Sequence, residues 1–349
     1  MRDDDLLILK GHEVLSLLEG REPELLRAVR LAYESHAAGN SSLPHSTFLR
    51  FPSDERNRII ALPAYLGDGF GVAGIKWVSS FPGNLDLGRD RASAVIILNS
   101  VRTGQPEAVI EGSVISAKRT AASAALAAQT LQTGGREANV GIVGCGLINF
   151  EIARHVRAAC PEVSAFTVFD LDPERARQFA EKCRGQLGVE AGVAADLGAL
   201  LRGSRLVSFA TTAVRPHLRD LSACAPGSTV LHISLRDLAP EAILSCDNVV
   251  DDIDHVCRAQ TSVHLAEQAV GHRDFIRCTL ADVLLGAAPA RRDPESVAVF
   301  SPFGLGVLDL AVAKYVRDLA VEHGRGSVIG SFLPSPWAES GPAKAALKV

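Results

Sequence analysis

From about residue 125 the chain alternates short apolar runs with stretches of helical periodicity. The runs NVGIVG (139–144), AFTVFD (165–170), RLVSFAT (205–211), STVLHISL (228–235) and NVVDD (248–252) are flanked by turn residues and predict strands. Between them FEIARHVRAA (150–159) and PERARQFAEKCR (173–184) have the spacing of amphipathic helices. Strand and helix in alternation predict an α/β protein with a doubly wound parallel sheet.

The first part of the chain has a different rhythm. EPELLRAVRLAYESHAAG (22–39) predicts a helix that stops at a glycine. It is followed by STFLRFP (46–52), RIIALPAYLG (58–67), GVAGIKWVSS (71–80) and ASAVIILNSVRTGQPEAVIEG (92–112), read as successive strands, the last with a T-G-Q-P hairpin. The expectation is a more antiparallel sheet. The Ala-rich stretch SVISAKRTAASAALAAQTLQ (113–132) predicts a long helix leading into the second part. Near the end, VAVFSPFGLGVLDLAVAKYVRDLAVEH (297–323) predicts a strand, a glycine loop and a helix that packs back on the first part. SPWAESGPAKAALKV (335–349) reads as a loose tail.

Composition narrows the function classes. A hydrophobic content of 47% with 22% charged residues is that of a folded globular chain. A formal charge of −4 argues against nucleic acid or an anionic membrane as the main partner. No run of about 18 apolar residues occurs, and the N-terminus MRDDDLLILK is acidic where a signal peptide is basic, so a cytoplasmic protein is expected. Seven scattered cysteines without a C-x-x-C pair, and histidines without ligand spacing, predict neither disulfides nor a bound metal.

The chemistry starts at the glycine turn. VGIVGCGLIN follows an apolar strand and opens a helix at Leu147 and Ile148, while the next strand ends in Asp170. Gly144 permits the tight turn and Gly146 lets backbone approach a pyrophosphate at the helix N-terminus. Asp170 can accept hydrogen bonds from ribose hydroxyls and repels a 2′-phosphate, which predicts NAD over NADP. Asn149 occupies the third glycine position of the motif. In the first part Arg50, Lys76, Arg91 and Arg119 are placed to hold a small acidic ligand; Lys76, set among apolar residues, needs a counter-charge from protein or ligand. His232, His255 and His264 are possible bases that read equally as core histidines.

These motifs form a recognisable set. GIKWVSS, Arg119 in SAKRTAASAALAA, VGIVGCG, ATTA (210–213) and FSPFGLGVLDLA resemble the ornithine cyclodeaminase/μ-crystallin family across nearly the whole chain. The resemblance implies a substrate and dimerisation domain (1–124 with 308–349) into which a Rossmann domain (125–307) is inserted before a returning C-terminal helix. It implies that Arg50, Lys76 and Arg119 hold substrate. It places Thr211 and Thr212 over the adenine side of NAD and Ser234 and Gly304 near the nicotinamide, with Ser93, Arg119 and Thr120 as further cofactor contacts.

Within the family, LPHSTFLRFP, GIKWVSSFPGN, DRASAVIILNS and EGSVISAKRTAASAA are similar to the N-((2S)-2-amino-2-carboxyethyl)-L-glutamate dehydrogenases of 2,3-diaminopropionate biosynthesis, which serves siderophores and peptide natural products. That branch implies an NAD-dependent cleavage of a substrate with three carboxylates, Arg91 serving one of them, and a homodimer. HISLRDLAPEAI is shorter than the stretch in which ornithine cyclodeaminases carry a catalytic aspartate, and Asp237 is its nearest carboxylate. Lys76 reads either as a neutral proton acceptor or as a protonated carboxylate clamp. The alternatives are another enzyme of the family (ornithine cyclodeaminase, alanine dehydrogenase, ketimine reductase) or a non-catalytic NAD-bound ligand carrier.

Overall fold

The computed structural model describes residues 4–132 and 137–334; the tail from 335 lies outside them. Two eight-stranded sheets organise these residues. The first runs in the order Ser327–Ile329, Leu6–Leu9, Pro106–Glu111, Ala92–Asn99, Val72–Ser80, Asp54–Leu66, Ser41–Ser42, with Thr47–Phe51 also paired to Asp54–Leu66. Its pairs are antiparallel except Leu6–Leu9 with Pro106–Glu111, which is parallel. The N-terminal run LLIL, too short to show alternation, is thus an interior strand of this sheet.

The second sheet is parallel throughout: Glu190–Val193, Ala165–Phe169, Asn139–Val143, Leu206–Phe209, Thr229–His232, Ala298–Ser301, Asp247–Val250, Ile276–Thr279. The chain winds outward from Asn139–Val143 in one direction, then returns to its other side at Leu206–Phe209. Ligands of doubly wound folds sit at this reversal, beyond the carboxyl ends of the strands.

The Ala-rich helix Ser113–Leu131 is buried on nearly every side because its small side chains let neighbours approach from all directions. It touches the first sheet, the helix Glu22–Ala37, the helix Leu147–Ala159 and strand Thr229–His232. The helix Gly306–Glu322 packs across strands Asp54–Leu66, Val72–Ser80 and Ala92–Asn99, as its sequence predicts. One face of the first sheet is thereby covered, and Lys76, Leu62, Ile96 and Ile110 point into it. The opposite face carries Tyr65, Ile75, Trp77, Val95 and Ile97.

Candidate active site

Gly144 ends the strand Asn139–Val143 at φ +91°, and a Cβ there would lie 2.7 Å from the Ala210 carbonyl oxygen. A side chain is excluded twice, by backbone conformation and by the neighbouring strand. At Gly146 a Cβ would meet nothing within 4 Å, so the first backbone amides of helix Leu147–Ala159 face open space. Asp170 accepts from the Cys145 amide at 2.7 Å and from the Asp172 amide at 3.0 Å, which draws its carboxylate to the turn. An open amide cradle beside a carboxylate fits the pyrophosphate and ribose of a dinucleotide.

Asn149 replaces a packing glycine with a bracket. Its side chain is fully buried, donates to the carbonyls of Val143 (2.8 Å) and Gly144 (2.7 Å), and accepts from Ser208 Oγ at 2.7 Å. It ties the turn to the strand across the reversal point.

The second half of the site is a buried ion cluster. Lys76 Nζ lies 2.6 Å from Asp309 Oδ2 and donates to Ser116 Oγ at 3.2 Å. Arg119 Nε donates to the other oxygen of Asp309 at 2.8 Å. Burial, and then the Arg119 charge, pull the Lys76 pKa down to about 8 against the opposing pull of Asp309. Gly304, at φ +94°, passes so close to Arg119 that a Cβ would sit 2.9 Å from Nη1. Asp251 holds that loop by accepting from the amides of Phe303 (2.8 Å) and Gly304 (2.7 Å). Asp309 was not a sequence candidate; the only signal was one acid in the apolar run GVLDLA.

Arg50 and Arg91 lie further along the same face of the sheet. Lys76 and Ser80 share that face on one strand, about 13 Å apart at the usual rise per residue, and Arg91 Nε donates to Ser80 Oγ at 3.3 Å. Arg58, overlooked in RNRIIA, is the cross-strand partner of both Arg50 and Ser80. Arg236, overlooked beside Asp237, lies in the loop after strand Thr229–His232 of the second sheet and donates to the Ala259 carbonyl at 2.7 Å. Ala259, Arg50 and Arg258 line one cavity of about 210 Å³ with Ser46, Phe48, His255 and Phe303.

Asp237 is fully buried and accepts from Thr211 Oγ1 at 2.5 Å and from Ser234 Oγ, with His217 Nε2 at 3.1 Å. Burial raises its pKa, but His232, Ser234 and Thr211 outweigh this and hold it well below the ordinary carboxylate range. A carboxylate so strongly favoured in its ionised form is a poor proton acceptor. Its observed part is to join the ATTA loop to the Ser234 turn, which also explains where the hydroxyls of Thr211 and Ser234 point. Thr212 is exposed beside them, and Thr120 follows Arg119 on its helix. Ser93 pairs with Ser79 (Oγ–Oγ 2.8 Å) on the sheet face opposite Lys76. Among the described residues, no group of three or more His, Cys, Asp or Glu could hold a metal, and no helix is long and apolar enough to cross a membrane.

Fold and site together define a two-sheet α/β protein in which a dinucleotide turn lies at the strand reversal and a buried Lys–Asp–Arg cluster marks the other half. The chain belongs to the ornithine cyclodeaminase/mu-crystallin family, whose family model matches residues 7–324. It is 29% identical to an alanine dehydrogenase of Archaeoglobus fulgidus over 343 residues, 94% of this chain and 99% of that protein. It is 26% identical to the N-((2S)-2-amino-2-carboxyethyl)-L-glutamate dehydrogenase of Staphylococcus aureus over 312 residues, covering 87% of this chain and 92% of the other. The structure of an archaeal alanine dehydrogenase dimer with bound NAD superposes with a TM-score of 0.84 at 28% identity, covering 93% of this chain and 99% of that one.

Proposed function

We propose that this protein is an NAD-dependent oxidoreductase acting on a CH–NH bond, and that its substrate is N-((2S)-2-amino-2-carboxyethyl)-L-glutamate, converted to L-2,3-diaminopropionate and 2-oxoglutarate. The observation that carries the choice of substrate is the row formed by Arg50 and Arg91, neither of which is ion-paired to a carboxylate among the described residues, beyond the Lys76–Asp309–Arg119 cluster. A one-carboxylate amino acid needs only the cluster; the extra cations suit a substrate with several carboxylates.

NAD supplies the hydride acceptor for the glutamate Cα. Gly144, Gly146 and Asp170 orient it, while Arg119 and Lys76 bind the carboxylate and amine next to the reacting carbon. Lys76, with its pKa near 8, has a neutral fraction that can take the proton of the amine, or of the water that adds to the resulting imine. Asp309 keeps Lys76 and Arg119 in register. Asp237 positions the ATTA loop and Ser234. The apolar outer face of the first sheet fits a second copy of the chain, giving a homodimer in the cytoplasm.

The test is direct. Purified protein with NAD is offered this substrate, L-alanine, L-proline and L-ornithine, and NADH and 2-oxoglutarate are measured. NADH with equimolar 2-oxoglutarate from the three-carboxylate substrate alone is expected. Turnover of alanine or proline with none of that substrate overturns the choice in favour of another activity of the family.

A further inference from the structure

Arg58 and Arg236 have no part in the chemistry above, yet both are set against its cations. Arg58 faces Arg50 across one strand boundary and Ser80 across the other, and Ser80 receives Arg91, so three guanidiniums stand in one row across neighbouring strands. Cross-strand partners of this kind have Cβ atoms only about 5 Å apart, and like charges placed so are unfavourable. Arg236 closes on the row from the second sheet. Its Nη2 is anchored on the Ala259 carbonyl, and Ala259 shares a cavity wall with Arg50 and Arg258. The Nε of Arg58 and the Nη1 of Arg258 are buried without a hydrogen-bond partner among the described residues. None of Arg50, Arg58, Arg91, Arg236 and Arg258 makes an ion pair with a carboxylate among those residues, whereas nearby Arg119 and Arg273 do.

Arg50 is exposed and Arg58, Arg91, Arg236 and Arg258 are half-buried, so the row is open to a ligand from solvent. Guanidiniums partly removed from water and brought together favour an anion of more than one charge. In agreement, burial comes first and then the charges of Arg236, Arg91 and Arg50 in pulling Arg58 below its ordinary pKa; Arg236 is lowered by burial and by Arg91 and Arg50.

We propose that Arg58 and Arg236, with Arg50 and Arg91, form a polycarboxylate subsite that determines specificity by taking the carboxylates remote from the reacting carbon. One ligand group there is held by both sheets at once, Arg58 from the first and Arg236 from the second. A substrate as short as alanine cannot bridge from Lys76 to this row. The inference rests on the proposed function for the identity of the substrate, but the subsite itself requires only a ligand with several carboxylates.

The experiment titrates citrate, with acetate as the one-carboxylate control, into the NAD-loaded protein and into the Arg58→Gln and Arg236→Gln variants by calorimetry. The unmodified protein binds citrate far more tightly than acetate, and each variant weakens citrate binding roughly ten- to 150-fold, the range for a charge-assisted contact. NAD affinity is unchanged, and the ligand-free melting temperature of each variant is equal or higher, because one of several repelling charges is gone. Citrate binding unaltered in both variants, or no preference for citrate over acetate, overturns the subsite. A lowered melting temperature with parallel loss of NAD affinity also overturns it, since that is a packing role. Arginine-dependent citrate binding in a protein that fails to oxidise the three-carboxylate substrate supports the subsite and rejects only the proposed reaction.

Discussion

The carboxylate of Asp309 lies 2.6 Å from the ammonium of Lys76, and neither side chain has appreciable contact with solvent. The strand Val72–Ser80 and the helix Gly306–Glu322 meet at this pair. Asp309 also holds Arg119, so one acid compensates two buried cations.

Asp309→Asn removes that compensation and leaves both cations in place. Breaking one side of a buried ion pair costs about 3–5 kcal/mol, because the remaining charge is uncompensated. Urea unfolding should show a loss of this size. A change below about 1 kcal/mol would mean that water or ligand groups reach the pair.

The Lys76 pKa near 8 sets a pH dependence. If its neutral form takes the proton, kcat/KM rises about tenfold per pH unit below 8 and levels off above it. Asp309 opposes the downward shift, so Asp309→Asn should move the midpoint to lower pH. A profile that falls through pH 8 would identify Lys76 as a protonated clamp.

Cofactor choice should turn on Asp170. The cavity beside Cys145 and Gly146, about 270 Å³, is also lined by Arg175 and Lys182. Asp170→Ser removes the charge that repels a 2′-phosphate and leaves those cations to meet it. The NAD-to-NADP ratio of kcat/KM should fall at least tenfold, about 1.4 kcal/mol. Equal use of both cofactors by the unmodified protein would contradict the ribose assignment.

The outer face of the first sheet should mediate self-association. Trp77 is 38% exposed and Tyr65 40%, and cross-strand neighbours extend this surface through Ala61, Ile75, Val95 and Ile97. Among the described residues, no helix packs on this side. Trp77→Glu places a charge in the middle of it and should convert a dimer to a monomer at micromolar concentration in light scattering. A monomeric unmodified protein would remove the basis for this prediction.

Much of the architecture was legible in the sequence. The strands Asn139–Val143, Ala165–Phe169, Leu206–Phe209, Thr229–His232 and Asp247–Val250, the helices Glu22–Ala37 and Ser113–Leu131, and the hairpin before Pro106 all follow from periodicity and turn chemistry. Glu190–Val193 and Ile276–Thr279 did not. The first is a half-exposed edge of sequence EAGV, and the second is a four-residue run interrupted by Arg277; each is a strand because of the neighbour it pairs with. Ser327–Ile329, an exposed strand, is held in the same way by Leu6–Leu9.

The site divides along the same line. Gly144, Gly146 and Asp170 are close in sequence or bound to one strand–turn–helix unit, so their meeting at one turn could be read from spacing, and Lys76 announced its need for a counter-charge by its apolar setting. Which acid answered that need was decided by the helix Gly306–Glu322 returning across the first sheet. The neighbours of Arg50 and Arg91 were likewise decided by strand register for Arg58 and by the meeting of two sheets for Arg236. Asn149 shows the limit most clearly: as a missing glycine it weakens the motif, while in three dimensions its amide satisfies the carbonyls that end the strand. Local pattern determines elements because backbone geometry repeats over a few residues, whereas ion pairs and side-chain hydrogen bonds depend on through-space distances that only the packed chain sets.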